Sequence, residues 1–214
     1  MKNVLSTVFV FIQVLVFGQN GSVEVKNLTA QAVDSTSNFY YEKLIYRFNF
    51  DPSIMSEEEM KYLYYAKNSN KNLKTMNLTE SGDFMSLVRE GKCKDAIDIG
   101  ERILSLDPAN LEVLGMLLNC YSQSKAEESR NFSFRGFQFR RLVDAILQNG
   151  ISEGGERKLT VMAVADEYIL SSVLGLDLRL FRRSSKNHSE GIIDSWKKGK
   201  EKIDFLVVYD HNGN

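Results

Sequence analysis

The chain has 214 residues, 43% hydrophobic and 26% charged, a globular balance in a length that can bury a core without metal or disulfide support. A formal net charge of −1 excludes a general nucleic-acid binder, which would carry a basic footprint. With 2 prolines and no low-complexity stretch there is no long flexible linker, so of the one or two domains that the length allows the reading is one.

Residues 1–18 read as a secretory signal peptide. Lys2 gives a basic start and Val4 to Phe17 form a largely apolar run. Val16 and Gly18 are small enough for a cleavage site, leaving Gln19 as the new N-terminus. The alternative is an N-terminal anchor, but the run is short for a span of ~20 residues and polar residues follow at once. Export to the periplasm, envelope or medium is expected, with no integral membrane segment after cleavage.

The mature chain opens on a polar lead, Gln19 to Asp34. Ser37 to Asn49 is predicted helical, with Tyr41, Leu44, Ile45 and Phe48 at i, i+3, i+4 and i+7. Asp51-Pro52 ends it. Ser56 and Glu59 form a capping-box pattern, Met55 and Met60 stand at staple positions, and the helix runs to about Lys67. Its tyrosines Tyr62, Tyr64 and Tyr65 point to more than one face. A packed helix junction explains them best, since a tyrosine ring buries area and keeps a polar tip. In the second reading Tyr62 and Tyr65 form a ligand-stacking surface. Asn68 to Thr79 is loop-like, and Gly82 to Glu90 is a short helix.

The next two helices carry the clearest pattern. Cys93, Ala96, Ile97, Gly100, Ile103 and Leu104 make one apolar stripe, and small Ala96 and Gly100 admit a close neighbour. Asp107-Pro108 stops this helix, Asn110 can cap the next, and Leu114, Leu117, Leu118 and Tyr121 form the facing stripe. A short loop between two such helices makes an antiparallel pair. It brings Cys93 and Cys120 within reach of a disulfide, although two buried small side chains are the plainer reading.

Ser122 to Asn131 is polar, and Arg135 to Gln148 is predicted helical. From Ile151 the period changes. Leu159 to Ala165 is β-rich, Asp166 to Leu174 a short helix closed by Gly175, and Leu176 to Phe181, Ile192 to Trp196 and Ile203 to Tyr209 alternate as strands, with a turn at Lys198 to Glu201. The fold class is α+β: residues 19–214 form one domain, helical over about 37–150 and closed by a small antiparallel sheet over about 158–210.

Two resemblances follow. Gly91, Ala96, Leu104, Asp107-Pro108, Asn110, Leu114, Leu117 and Tyr121 resemble one tetratricopeptide repeat and the first helix of the next. A lone unit forms no solenoid groove, which takes ~3 units. Separately, Tyr40 to Tyr65, the central pair, Leu142 to Gly150, Val164 to Leu170 with Leu174 to Leu176, and Ile203 to Asp210 resemble an exported Bacteroidetes-type family, the domain-of-unknown-function family DUF4919. That resemblance implies a single exported domain and supplies no catalytic residues.

Candidate chemistry is sparse. Asp166 and Glu167 are candidate binding residues, as an acid–base or cation-binding pair, against the commoner role of complementing a helix dipole. Phe132, Phe134, Phe137 and Phe139 interleave with Arg135, Arg140 and Arg141, read as a core-facing helix entry with a basic rim. His188 and His211 stand alone and make no metal site. No nucleophile-elbow, phosphate-loop or metalloprotease motif is present, so no catalytic residue, metal or cofactor is expected. Lys197, Lys198, Lys200 and Lys202 with Arg182, Arg183 and Lys186 make the C-terminal region basic: a charge-guarded strand edge, or a patch for an anionic glycan or phospholipid. The leading expectation is a non-catalytic exported scaffold with a protein partner in the envelope or medium. The alternative is an enzyme, or a protein binding a small ligand or glycan, with a divergent site near Asp166 and Glu167.

Overall fold

The computed structural model describes residues 25–74, 78–126, 128–153 and 156–209. The leader read at residues 1–18, and His211, lie outside them. The helices are α1 (Val25–Val33), α2 (Tyr41–Phe50), α3 (Glu57–Tyr65), α4 (Leu78–Arg89), α5 (Cys93–Leu106), α6 (Leu111–Gln123), α7 (Arg130–Gln148) and α8 (Val164–Val173). The strands are β1 (Ile151–Glu153), β2 (Glu156–Val161), β3 (Arg182–His188), β4 (Gly191–Lys198) and β5 (Glu201–Val208). Seven of these helices precede a mostly antiparallel sheet and α8 lies between β2 and β3, and the fold is α+β.

Local chemistry sets most of the boundaries. The capping box of α3 is complete: the Glu59 N–H donates to Ser56 Oγ at 3.2 Å and the Ser56 N–H to Glu59 Oε2 at 2.8 Å. Met55 and Met60 are both buried beside it, as a hydrophobic staple requires. Asn110 caps α6 by accepting from the Val113 N–H at 3.1 Å. α5 and α6 pack through Ala96, Gly100, Leu104, Leu114 and Leu117, all buried. A Cβ on Gly100 would stand 2.9 Å from the Phe84 ring and 3.0 Å from Leu117 Cδ1, so only hydrogen fits there without a shift.

Three helix ends share one device. After α4, α6 and α8, the N–H groups of Lys92, Ala126 and Leu176 bond back to the Leu87, Tyr121 and Ser171 carbonyls, the Schellman pattern with a left-handed residue just past the helix. That residue is Gly91 at φ 70° and Gly175 at φ 73°, but Lys125 at φ 55° after α6.

The sheet has the order β1-β2-β5-β4-β3. β4 and β5 form the expected hairpin, with Trp196 opposite Ile203 and Asp194 opposite Phe205. β2 runs parallel to β5, so the last of the described strands is the sheet's middle one. The face carrying Leu159, Val161, Phe205, Val207 and Trp196 is buried.

Several boundaries differ from the sequence reading. The lead contains α1, which buries Val25, Leu28 and Ala32, about one apolar residue per turn and too thin a stripe to register. α2 starts at Tyr41, because Ser37 Oγ accepts from the Phe39 N–H in a turn instead of capping a helix. α7 starts at Arg130, capped by Ser129 Oγ accepting from the Phe132 N–H. The expected strand at Leu176 to Phe181 winds into a 3-10 turn over Leu178–Leu180, whose entry is capped by Asp177. The strand is instead the polar stretch after it, β3, exposed throughout. An edge strand with no buried face has no alternation to read.

Candidate functional site

α8 begins after Ala163, which offers no side-chain cap, and its third and fourth residues are Asp166 and Glu167. Consecutive helix positions diverge by about 100°, so the two carboxyls part. Asp166, 1% exposed, turns to α3, where the Tyr64 hydroxyl donates to Oδ2 at 2.6 Å. The same hydroxyl accepts from the Met162 N–H at 3.1 Å. Tyr65, edge-on to Tyr64 with ring centroids 4.9 Å apart, donates to the Thr160 carbonyl at 3.3 Å. Burial pushes both hydroxyls far above the ordinary phenol value, and the Asp166 charge adds to it.

Two further carboxyls feel Asp166. Burial raises Asp107, with Asp166 adding while Lys67 and Asn110 oppose, and burial raises Glu112, again with Asp166 adding and Lys67 opposing. This side of α8 is therefore acidic. Among the described residues no group of three or more His, Cys, Asp or Glu is placed to hold a metal ion.

Glu167 turns to the sheet. It is fully buried, and its Oε2 accepts from Trp196 Nε1 at 2.9 Å. Burial, and the Asp194 carboxylate beside it, push Glu167 up to about 7 against the pull of Trp196 and Arg183. Asp194 accepts from Arg183 and Ser185 on β3. Burial alone would raise Asp194, but those bonds hold it below the usual range. Tyr168 packs edge-on to Trp196 at 5.7 Å, and the Arg183 guanidinium lies over the indole at 5.5 Å. A carboxyl near 7 beside a carboxylate has the make-up of an acid–base pair. Here both are shut from solvent, at 0% and 1% exposure, and they join α8 to β4 instead.

The open feature nearby is a groove of about 520 Å³ between α6 and α8. Facing stripes line it, with Glu112, Gly115 and Met116 on α6, Tyr168, Ile169 and Val173 on α8, and Phe139 of α7 beside them. Tyr168 and Val173 are exposed. Cys93 and Cys120 pair as a disulfide, with Cα atoms 4.7 Å apart, closing the α5–α6 hairpin.

The four residues singled out from sequence are all buried. Tyr65 and Asp166 belong to one cluster. Tyr62 lies apart, stacked on Phe39 with centroids 4.0 Å apart, and Glu167 belongs to the sheet side. The tyrosine that bonds Asp166 is Tyr64, and the partners of Glu167 are Trp196 and Asp194. The lone tryptophan two positions after an aspartate in an alternating strand was the available signal for that pair. Nothing local marks the groove, whose walls come from three separate helices.

Neither a curated protein nor a solved structure matches the chain. A family model does, over residues 26–194, which runs from α1 to the middle of β4 and stops short of β5. The chain belongs to that family, Domain of unknown function (DUF4919).

Proposed function

We propose that this is a non-catalytic, exported interaction domain whose α6–α8 groove holds an amphipathic segment of an envelope or secreted protein. The observation that carries it is the division of labour around α8. The inward carboxyls have partners inside the fold and no exposure, while the outward stripe of Tyr168, Ile169 and Val173 faces Met116 and Phe139 across open space. Two amphipathic helices with an apolar cleft between them suit the helix-in-groove mode of recognition. Glu112 at the groove has no ion pair among the described residues, so the segment is expected to bring a Lys or Arg there. Support for export comes from the leader-like residues 1–18 and from the Cys93–Cys120 bridge, which suits an oxidising compartment.

The test is site-specific photo-crosslinking in the native host, with the reactive residue at Tyr168 or, as a control on another surface, at Tyr46. A discrete partner captured from Tyr168 alone is purified and its binding measured by calorimetry. Val173→Glu at the exposed rim should weaken that binding at least ~tenfold, since it sets a charge against an apolar contact. Equal capture from both positions, or binding indifferent to Val173→Glu, overturns the reading.

A further inference from the structure

The end of the sheet at the β4–β5 turn carries a different chemistry. Residues 178–209 hold eight Lys and Arg against four Asp and Glu, in a chain whose net charge is −1. The register sets Arg182 opposite Lys197 and Lys197 opposite Lys202. Because Trp196 faces α8, its neighbour Lys197 and the rest of this row lie on the other face. Three cations thus line up across three strands, about 10 Å at sheet spacing. Like charges directly opposite one another destabilise a sheet. Only Lys202 is neutralised, by Glu156 at 2.9 Å and Asp204 at 3.2 Å. Arg182 and Lys197 make no ion pair among the described residues, nor does Lys200 in the turn beyond them. The arrangement keeps a repulsion that an external anion would relieve.

Apolar groups stand at the same end. Leu180, two residues before Arg182, is 61% exposed. Phe181 lies under Lys198, its ring centroid 5.7 Å from the ammonium. A cavity of about 270 Å³ opens beside it, lined by Phe181, Leu174, Leu176 and Ile203 together with Arg157, Lys202 and one carboxylate, Glu201. Exposed lysines at one sheet end, an exposed leucine two residues from Arg182 and a recess that pairs apolar walls with Arg157 and Lys202 match a headgroup layer, where cations meet phosphates and short apolar side chains enter the interface. An acidic peptide would need a groove or a single strand edge, and the cations follow neither.

We infer that this end of the sheet is a peripheral contact for an anionic lipid surface. It uses none of the groove residues and holds whichever partner occupies the groove. The test is co-sedimentation of the protein, as its host processes it, with vesicles of phosphatidylglycerol and phosphatidylethanolamine or of phosphatidylcholine alone, at low and raised salt. Binding is expected to the anionic vesicles only and to fall with salt, as exposed charges are screened within ~10 Å at 0.1 M. Lys197→Glu with Lys200→Glu should lower partitioning at least ~tenfold. Leu180→Ser should lower it by a smaller factor that raised salt leaves unchanged. Lys198→Gln with Lys200→Gln, confined to the exposed turn, should lower it severalfold and serves if the first pair disturbs folding. Equal binding to both vesicle types, no effect of either lysine pair, or retention on heparin with no vesicle binding would overturn the inference, the last by assigning the patch to soluble polyanions.

Discussion

The Tyr64 hydroxyl donates to the Asp166 carboxylate across 2.6 Å and 102 positions of sequence, and through it helix α3 is fastened to the start of α8. The same oxygen receives the Met162 N–H, so one hydroxyl serves two buried groups. Tyr64→Phe should therefore cost more than a single hydrogen bond, about 2–4 kcal/mol, because it strands both an acceptor and a backbone donor. Urea unfolding measures it. Combined with Asp166→Ala, the loss should be well short of additive, as expected of residues in contact. Full additivity would show that the bond carries no coupling.

Glu167 makes stability depend on pH in an unusual direction. In the folded chain it holds its proton to about 7, against an ordinary value of 4.5. Between those values the folded state binds the proton that the unfolded chain has released. On this group's account, stability is full below about pH 4.5, falls as pH rises to about 7 and is level above. Asp194, held low, works the other way and withdraws stability as pH falls through the acid range. Glu167→Gln keeps the Trp196 bond and removes the titration. It should stabilise the fold at pH 8 by on the order of 1–3 kcal/mol, read as a higher melting temperature, with the two curves converging near pH 5. A variant that melts below wild type at pH 8 would mean that the ionised form is the stabilising one.

The α5–α6 contact leaves little room. Ala96→Leu should cost ~1–3 kcal/mol by overpacking and Leu117→Ala ~2–5 kcal/mol by opening a cavity. Gly100→Ala sets a gain of up to ~1 kcal/mol in helix propensity against a methyl 2.9 Å from a buried ring, and should still lose stability. Lys125→Gly should gain up to ~1 kcal/mol, since φ 55° at the end of α6 strains any residue with a Cβ. Denaturant midpoints for the four variants order these claims. A destabilised Lys125→Gly would mean that the lysine side chain does more than cap a turn.

Export and the disulfide share one measurement. Protein recovered from its host should have an intact mass that begins at about Gln19 and is lower than the reduced chain by two hydrogens. Replacing Cys93 and Cys120 by serine should cost ~2–4 kcal/mol through the freed loop. Full-length chain in the membrane fraction would contradict export, and free thiols on the native protein would contradict the bridge.

The fold was legible where one face of an element is buried and its neighbours are local. The capping box at Ser56, the Asp107-Pro108 stop and the stripes of α5 and α6 follow from spacing alone. The alternation over Ile192 to Trp196 marked β4 as a strand, and the structure buries Asp194 and Trp196 of it. What escaped was set by distant contacts. β3 is a strand because β4 offers it a ladder, and its own side chains are exposed on both faces. The parallel pairing of β2 with β5 is absent from any local pattern, because each would read the same in an antiparallel pair. At the site, the sequence marked Asp166 and Glu167 but gave them to one another. Their partners are Tyr64, reached over 102 positions, and Trp196, reached over 29.

The place of β5 has a consequence for how the molecule is made. Among the described strands, β5 is made after the four others, yet both halves of the sheet hang on it, with β2 on one side and β4 on the other. Until residues 201–208 are free of the ribosome or of a translocation channel, β2 has only the short β1 beside it. The helical part can condense early from neighbours close in sequence, whereas the sheet waits for β5. A chain threaded through a membrane N-terminus first would therefore keep the two halves of its sheet apart until residues 201–208 had passed.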